Sequence, residues 1–442
     1  MTHVLHRSLL STPPLAVAGN GMYVTDELGN RYLDACGGAA VSNLGHNHPK
    51  VVAAIQRQAA SLPYAHTSFF TTGVLEELAD TLIAQAPGMD KVLFVSGGSE
   101  AIEAALKLSR QYFVEIGEPD RHLFIARKQS FHGNTLGALA VGGNQWRRQP
   151  FAPLLQAGHY ISPCFEYRWR DVDESREAFG LRVANELSSK IEELGPENVA
   201  GFVAETVVGA TSGAVTAVPG YFARIREICD HYGIHLILDE IMCGSGRTGS
   251  LFAYEQEDVV PDMVTIAKGL AAGYQPIGAL LARSHLSEAI AAGSGFFQHG
   301  HTFMGHAIAA AAALATLETI RDDNLLDNVA VRGASLQSSL KAALGDHPHV
   351  GDIRGRGLLI GVEFVANRET REPFERDAKV HQRLKTEAMA RGLLCYTMGG
   401  TVDGQVGDHV LISPPYILNS HHEEEIVSKL VSAVSAVLPS ST

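Results

Sequence analysis

The sequence has few of the features that mark secreted, membrane or nucleic-acid-binding proteins. Its 442 residues include only five cysteines, and none forms a C-x-x-C pair, so neither a disulfide framework nor a cysteine zinc site is expected. The longest apolar run, residues 307–315, is shorter than the roughly 18 residues of a membrane span. The net charge of −13 argues against nucleic acid or an anionic membrane as the main partner.

The first residues, MTHVLHRSLLSTPPLAV, lack the apolar stretch of a secretory leader. Together with the isolated thiols, this predicts a cytoplasmic protein. Hydrophobic residues make up 45% of the chain and charged residues 19%. This is an ordinary globular composition, with enough material for two domains and a large core.

Short apolar runs alternate with helical patterns from about residue 73 onward, and they read KVLFVS, HLFIAR, VAGFVAE, HLILDE, MVTIAK and IGALLA. Such alternation predicts an α/β fold with a mostly parallel sheet covered by helices. The chain ends differ, because residues 20–35 suggest a small meander and the part after about 330 mixes helices with strands. We therefore predict a large domain, residues 61–329, and a smaller α+β domain built from residues 1–60 and 330–442.

Three glycines in HLILDEIMCGSGRTG, namely Gly244, Gly246 and Gly249, have the spacing of a dinucleotide-binding loop. An acid, Asp262, follows 18 residues after the first glycine. Asp262 precedes the next apolar segment, residues 263–267, whereas an acid that binds ribose must lie at the end of the next strand. The connecting segment SLFAYEQED is also too short and too polar for a crossover helix. We therefore expect a loop that binds no dinucleotide.

Ligands of an open parallel sheet collect at the carboxyl ends of its strands. In VLFVSGGSEAIEAALKLSR, Gly98 and Ser99 begin a helix whose free N–H groups suit a phosphate, although a plain β-turn-α connection has the same pattern. Asp239 ends HLILDE, where a buried carboxylate either pairs with a cationic group or caps the next turn. Ile241 shares its strand parity and could face the same flat ligand.

Two further segments add a lysine and an aromatic ring. Lys268 follows an apolar strand and precedes glycines, so it is either a surface lysine or a partly desolvated amine able to form a Schiff base. In SFHGNT, Phe131 is either a core aromatic or a stacking ring, with His132 as its polar neighbour. A phosphate cradle, a stacking ring, a carboxylate for a ring nitrogen and a strand-end lysine are together the parts that pyridoxal phosphate requires.

Four segments occur along the chain in this order: SGGSEAIEAALKLSR, SFHGNT, LILDEIMCGSGRTGSLFAYEQEDVVPDMVTIAKGL and GHTFMGHAIAAAAALATLE. They resemble the class III aminotransferases, pyridoxal-phosphate enzymes of fold type I. The resemblance extends from NGMYVTDELGNRYLDACGG to DHVLISPPYIL. It implies that Lys268 is the Schiff-base lysine and that Asp239 pairs with the pyridine nitrogen. It also implies that Phe131 and Ile241 lie against opposite faces of the cofactor ring.

The same resemblance implies further contacts with the cofactor. Gly98 and Ser99 would bind its phosphate, and His132 and Glu205 would also bind the cofactor. Thr302, in GHTF, would reach the phosphate bound by a neighbouring subunit. A complete site would therefore require a homodimer, either alone or as a dimer of dimers.

The sequence departs from the family where the substrate is concerned. Family members often have Gln at the position of Met242. Many have Glu at the position of Ala210 and Arg at that of Leu411, a pair that switches between substrate carboxylates. Related amine:pyruvate enzymes keep a flexible arginine nearby, but residues 396–412 contain none. Other candidates, more simply interpreted as surface residues, are Arg147, Arg148, Arg168 and Arg170.

The leading hypothesis is amino transfer from an amine or amino acid to a keto acid of the pyruvate or 2-oxoglutarate type. The alternative is a lyase, racemase or decarboxylase on the same cofactor, because motifs that hold the cofactor barely distinguish these reactions. A non-catalytic binding protein would have no need of Lys268. The histidines of QHGHTFMGH, His299, His301 and His306, match no metal-ligand spacing, so we expect no metal.

Overall fold

A computed structural model describes residues 3–439 of the chain. Its first elements are β1 (Ala16–Asn20), β2 (Tyr23–Asp26), β3 (Arg31–Asp34), the helical turn α1 (Gly37–Ala40) and α2 (Pro49–Ser61). The middle part contains α3 (Gly73–Ile83), β4 (Lys91–Val95), α4 (Gly98–Glu115), β5 (Leu123–Arg127), α5 (Leu136–Val141), α6 (Gln145–Arg148), β6 (His159–Ile161), α7 (Glu166–Trp169), α8 (Arg176–Leu194), β7 (Val199–Glu205), β8 (Val207–Val208), β9 (Val215–Thr216), α9 (Tyr221–Tyr232), β10 (His235–Asp239), β11 (Met263–Ile266), β12 (Gly278–Ala282), α10 (Ser284–Ala292) and α11 (Ala307–Asp322). The last elements are α12 (Leu325–Leu344), β13 (Val350–Arg356), β14 (Leu359–Phe364), α13 (Val380–Ala390), β15 (Leu393–Leu394), β16 (Tyr396–Gly399), β17 (Asp408–Ile412) and α14 (Ser420–Val437). None of the helices within residues 3–439 is long and apolar enough to cross a membrane.

The central sheet has seven strands in the order β4-β12-β11-β10-β7-β5-β6. The strands from β11 through β6 run parallel, and β12 is antiparallel to both of its neighbours. All six apolar runs of the sequence lie in this sheet, which confirms the predicted mostly parallel arrangement. The seventh strand, β6, was not predicted, because three residues are too few to give a pattern.

Helices cover both faces of the central sheet, which explains why its strands are apolar throughout rather than alternating. Every residue of β7 and β10 is buried. Alternate residues of β10 enter separate hydrophobic clusters. Ile237 packs in one cluster with Ile102 of α4, whereas Leu236 and Leu238 share the other with residues of α8 and α9 such as Phe222. Each such side chain stabilises the fold by about 1.5–3 kcal/mol when fully buried.

The two ends of the chain combine into smaller sheets. Strand β15 pairs in parallel with β3, with Leu393 opposite Leu33, so that the N-terminal meander gains a fourth strand from the far end of the chain. A second sheet, β13-β14-β17-β16, is antiparallel throughout. The first of these sheets joins the two chain ends, and the second comes from the C-terminal part alone. Helix α2 packs instead on α11, beside the central sheet.

The glycine-rich loop after β10 connects the central sheet to both chain ends through Arg247, which is fully buried. Its guanidinium donates hydrogen bonds to the carbonyl oxygens of Leu358 at 3.2 Å and Pro414 at 2.5 Å, and to Oδ1 of Asn43 at 2.6 Å. Gly246 has a φ of 93°, a value that glycine adopts readily and that turns the chain around this side chain. The glycine-rich loop therefore positions Arg247 for hydrogen bonds within the protein.

Candidate active site

A cavity of about 620 Å³ opens at the carboxyl ends of the central strands. Strands β4, β7, β10 and β11 all end at its wall, as expected for the ligand site of a parallel sheet. Eight of the nine predicted site residues line this cavity: Gly98, Ser99, Phe131, His132, Glu205, Asp239, Ile241 and Lys268.

Asp239 is held at the end of β10 by two hydrogen bonds. Its Oδ2 lies 2.8 Å from Nδ1 of His132, and its Oδ1 accepts from the backbone N–H of Ile241 at 3.0 Å. Because a carboxylate only accepts hydrogen bonds, the proton of this pair lies on Nδ1. The Nε2 atom of His132 is buried and has no hydrogen-bond partner within residues 3–439. The carboxylate therefore has a fixed orientation in the cavity wall.

Lys268 lies two residues beyond the end of β11 and has an unusual backbone conformation. Its φ is 44°, in the left-handed region that residues other than glycine seldom adopt, and it begins a short 3₁₀ turn, Lys268–Ala271. Burial lowers the pKa of the Lys268 amine, and the negative charges of Asp239 and Glu205 oppose this effect. A strained residue with a partly desolvated amine is typical of a functional site.

Glu205 ends β7 directly opposite Asp239 in the parallel register. Its Oε1 accepts from the backbone N–H of Gly209 at 3.2 Å, whereas its Oε2 is buried and has no partner among the described residues. Burial raises the pKa of the Glu205 carboxyl, Asp239 adds to this rise, and His132 and Arg127 oppose it. The free oxygen is a buried acceptor in the wall of the cavity.

Helix α4 begins at the cavity with Gly98. The first N–H groups of a helix have no acceptor within the helix. Because the N-cap residue of α4 provides no side-chain acceptor either, these groups can bind an anion. A Cβ atom at Gly98 would lie 2.8 Å from Cδ1 of Ile241, so only glycine allows the helix to start this close to that side chain. The Ser99 hydroxyl accepts from the backbone N–H of Asn134 at 3.1 Å and faces the same end of the helix.

The acid next to Asp239 has a different environment. Glu240 is buried, and its carboxylate accepts from the Thr206 hydroxyl at 2.9 Å and from the backbone N–H groups of Ala253 and Tyr254 at 2.6 and 2.7 Å. Burial raises the pKa of Glu240 to about 7, although these three donors lower it. Glu240 thus fixes the loop behind the site, while Asp239 faces the cavity.

The contacts of Glu240 predict a large effect on stability. In Glu240→Ala, two buried backbone N–H groups lose their acceptor, and each such loss costs about 1–3 kcal/mol. We therefore expect the apparent Tm to fall by several degrees in a calorimetric scan of the holoenzyme. Glu424→Ala, the same change on an exposed helix face, should leave the Tm unchanged. An unchanged Tm in Glu240→Ala would contradict this role.

The positions that depart from the family pattern share one apolar cluster. Ala210 lines the cavity, Leu411 is buried in β17, and both pack in a small hydrophobic cluster with Met242 and Tyr396. Hydrophobic side chains therefore lie at the two positions, 210 and 411, where many class III aminotransferases would carry a glutamate and an arginine.

Parts of the cavity wall that the sequence did not predict come from the chain ends and from α6. Arg7 and Val41 belong to the N-terminal part, Tyr396 begins β16, and Arg147 lies on α6. Arg147 is one of four arginines in that part of the sequence, and no sequence pattern distinguishes it from the others. Tyr396 lies in a segment of the chain without arginine, and no motif marks it.

Thr302 is the predicted site residue that this chain does not bring to its own cavity. It is exposed, and its backbone carbonyl accepts a hydrogen bond from Tyr64 Oη at 2.8 Å. The nearby rings of His299 and His301 are in edge contact, with centroids 4.9 Å apart. Within residues 3–439, no group of three or more His, Cys, Asp or Glu side chains is arranged to hold a metal ion.

Comparison with known proteins identifies the family. The family model described as "Aminotransferase class-III" matches residues 8–434. The chain belongs to the class III aminotransferases. An uncharacterised aminotransferase of Schizosaccharomyces pombe is 42% identical over 436 residues, 97% of this chain and 94% of the relative. The putrescine–pyruvate aminotransferase of Pseudomonas aeruginosa is 35% identical over 412 residues, 92% of this chain and 87% of the relative.

A solved structure supports the same assignment. The ω-transaminase from Pseudomonas jessenii, in complex with PMP, matches this aminotransferase with a TM-score of 0.92 and 32% identity, covering 99% of this chain and 96% of the other. The predicted family, fold type I and reaction class are thereby confirmed. This aminotransferase uses pyridoxal phosphate to transfer amino groups.

The cavity of the aminotransferase fits that cofactor. Free N–H groups at the start of α4 match a phosphate, and the fixed carboxylate of Asp239 matches a protonated ring nitrogen. Lys268 lies in the same wall, and its amine is a group that condenses with an aldehyde. The unpartnered Oε2 atom of Glu205 offers an acceptor for a further polar group.

Proposed function

We propose that this aminotransferase moves an amino group between an amine or amino acid and a keto acid of the pyruvate or 2-oxoglutarate type. The observation that carries the proposal is the convergence of Lys268, Asp239 and the start of α4 on one cavity. Half-reaction spectra with a panel of amines test it. The absorbance of the bound cofactor should fall as a carbonyl product is released, and a keto acid should restore it. Release of carbon dioxide or a racemised amine would instead support a lyase, decarboxylase or racemase.

The two polar residues at the strand ends have distinct proposed roles. When bound, the cofactor supplies an aldehyde and an electron-withdrawing ring. Lys268 would hold the cofactor through its amine, and once the amine of the substrate has displaced it, the free Nζ would move the proton from the substrate carbon. Asp239 keeps the ring nitrogen protonated, because its negative charge favours the cationic form. His132 orients that carboxylate through the bond between Nδ1 and Oδ2.

The remaining residues of the site bind and orient. We propose that Gly98 and Ser99 donate to the phosphate and that Phe131 and Ile241 cover the two faces of the ring. Glu205 lies beside the ring with its free Oε2 as an acceptor.

We further propose that the protein forms a homodimer, or a dimer of such dimers, with active sites shared between subunits. Thr302 is exposed and belongs to a surface with several large aromatic side chains. Phe69 is 78% exposed and Phe303 60%, and Tyr64 lies 6.0 Å from the Phe303 ring. Exposed aromatic surface of this kind is typical of a protein–protein interface. A second subunit placed here would receive Thr302 at its phosphate site.

The proposed role of Thr302 can be tested with Thr302→Val. Valine keeps the shape but removes the hydroxyl, so one hydrogen bond to a charged group, worth about 1.5–3 kcal/mol, is lost. We expect the affinity for pyridoxal phosphate to fall by about one to two orders of magnitude in an equilibrium titration, while the assembly remains dimeric. Thr370→Val, the same change at an exposed threonine of the C-terminal part, is the control.

Subunit exchange decides which site Thr302 serves. Lys268→Ala and a severe Thr302 disruption are each inactive, but a mixed dimer has one site with both lesions and one site with neither. Activity should therefore partly return after exchange. Failure to recover activity, with exchange confirmed by mass, would mean that Thr302 acts in its own chain.

We propose to divide the chain into a large domain, residues 61–329, and a small domain from residues 1–60 and 330–442. The separate central sheet and chain-end sheets support this division. A cytoplasmic location is likewise proposed, and the five free cysteines are consistent with a reducing compartment.

A further inference from the structure

The proposed function requires a group that binds a substrate carboxylate, and the positions of Ala210 and Leu411 provide none. Four arginines remained as candidates, and the structure separates them by their contacts. Arg148 donates to backbone carbonyl oxygens, among them that of Leu139 at 2.7 Å. Arg168 and Arg170 are paired with acids, Glu363 and Glu166, at 2.7 and 3.1 Å. The guanidinium groups of these three arginines are therefore already engaged.

Arg147 differs from the other three. It lines the cavity, and its guanidinium carbon lies 4.4 Å from the centre of the Phe131 ring. Among residues 3–439, no carboxylate lies within 4.0 Å of its guanidinium nitrogens, and its Nε is buried without a hydrogen-bond partner. Asn144 caps α6 by accepting from the Arg147 backbone N–H at 3.2 Å, which fixes the start of the side chain. The guanidinium also interacts with the side chain of Tyr396, while its Nε remains unpartnered among these residues, so it has a defined position and a free donor.

The charges around Arg147 favour an anion at this place. Burial lowers the pKa of Arg147, the nearby positive charge of Arg7 lowers it further, and Tyr396 and Glu205 oppose these effects. The positive charge of Arg147 in turn contributes to the lowered pKa of Lys268, so it acts on the amine of the site. A carboxylate bound between Arg7 and Arg147 would reduce the repulsion between their positive charges.

We infer that Arg147 binds the carboxylate of the substrate, so that the enzyme prefers amino acids and keto acids to amines and aldehydes without a carboxylate. The inference rests on the proposed function. A guanidinium presents a fork of N–H donors that matches the two oxygens of a carboxylate, and its position over Phe131 holds that fork at the cavity wall. Arg147 is then the specificity-determining residue that replaces the family's missing arginine.

Acceptor selectivity of the Arg147→Gln holoenzyme tests the inference. Pyruvate and acetaldehyde form a matched pair, because the aldehyde has a hydrogen in place of the carboxylate. We expect kcat/KM for pyruvate to fall about 10–100-fold, the loss of a charge-assisted pair, and that for acetaldehyde to change less than about threefold. Arg147→Lys should recover part of the loss, since it restores the charge without the fork.

Equilibrium binding provides a readout that needs no turnover. In calorimetric titrations, the wild type should bind propionate more tightly than propionamide, and Arg147→Gln should abolish this preference. Arg182→Gln, the same change of charge on a surface helix, serves as control and should change neither selectivity nor binding.

Several outcomes would overturn the inference. An equal loss for pyruvate and acetaldehyde would mean that Arg147 only supports the Phe131 ring. A selective loss in Arg7→Gln but not in Arg147→Gln would assign the carboxylate to Arg7. A wild type that reacts with no amine or keto acid would contradict the proposed function instead, and the propionate titration would still test Arg147.

Discussion

Replacing Lys268 with alanine is expected to reduce kcat for amino transfer by roughly 10⁴-fold or more, because the variant lacks the amine that we propose both binds the cofactor and moves the proton. The position of this amine is specific. It follows β11 in a left-handed conformation, lies in the same cavity as Asp239, and has a pKa lowered by burial. A neutral amine is therefore more available at a given pH than it is on an exposed lysine.

Borohydride reduction and peptide mapping check this prediction directly. The purified protein should be yellow, and the reduced label should be found on Lys268. Lys128→Ala, at an exposed lysine, should retain the label and full activity, and methylamine in solution should partly rescue Lys268→Ala. A label on any other lysine, or a variant that keeps its activity, would exclude Lys268 from the proposed role.

The sequence predicted the central sheet because its strands are buried on both faces and therefore read as continuous apolar runs. The strands β6 and β15 contain only three and two residues and give no pattern of their own. Their existence depends on pairing with strands far along the chain, as in the pairing of Leu393 with Leu33. Such pairing is a property of the folded chain, so local patterns could not predict these strands.

The candidate site was predictable where a motif and a strand end coincide. Asp239 ends β10, and Lys268 lies two residues beyond the end of the neighbouring parallel strand β11, so the sheet alone brings them to one cavity. Arg147 is different, since only the turn of α6 returns it to the ring of Phe131, 16 residues earlier. Tyr396 reaches the cavity from the far end of the chain. Local spacing in the sequence predicts the position of neither residue. The sequence alone therefore could not single out Arg147 as the arginine that we infer binds the substrate carboxylate.

Asp239→Asn is expected to slow the half-reaction by about 10²–10³-fold, the usual loss when a preorganised electrostatic contact in an active site is removed. The wild-type carboxylate accepts from His132 and from the backbone N–H of Ile241 in the cavity wall. Asparagine cannot carry a negative charge, and its amide nitrogen then meets one of these two donors. In the proposed arrangement, the ring nitrogen loses the anion that keeps it protonated, and the ring withdraws electrons less strongly.

Cofactor binding should survive in Asp239→Asn, because the N–H groups of α4 and the Lys268 amine are unchanged. Stopped-flow absorbance gives the rate, and an equilibrium titration gives the affinity for pyridoxal phosphate. Asp173→Asn, at an exposed aspartate, controls for the change of charge. His132→Phe removes one of the two bonds but leaves the carboxylate, so its rate should lie between the wild type and Asp239→Asn. A half-reaction rate of Asp239→Asn within a few-fold of the wild-type rate would mean that the charge of Asp239 does not activate the ring. The proposed role of His132, which orients that carboxylate, would then fail as well.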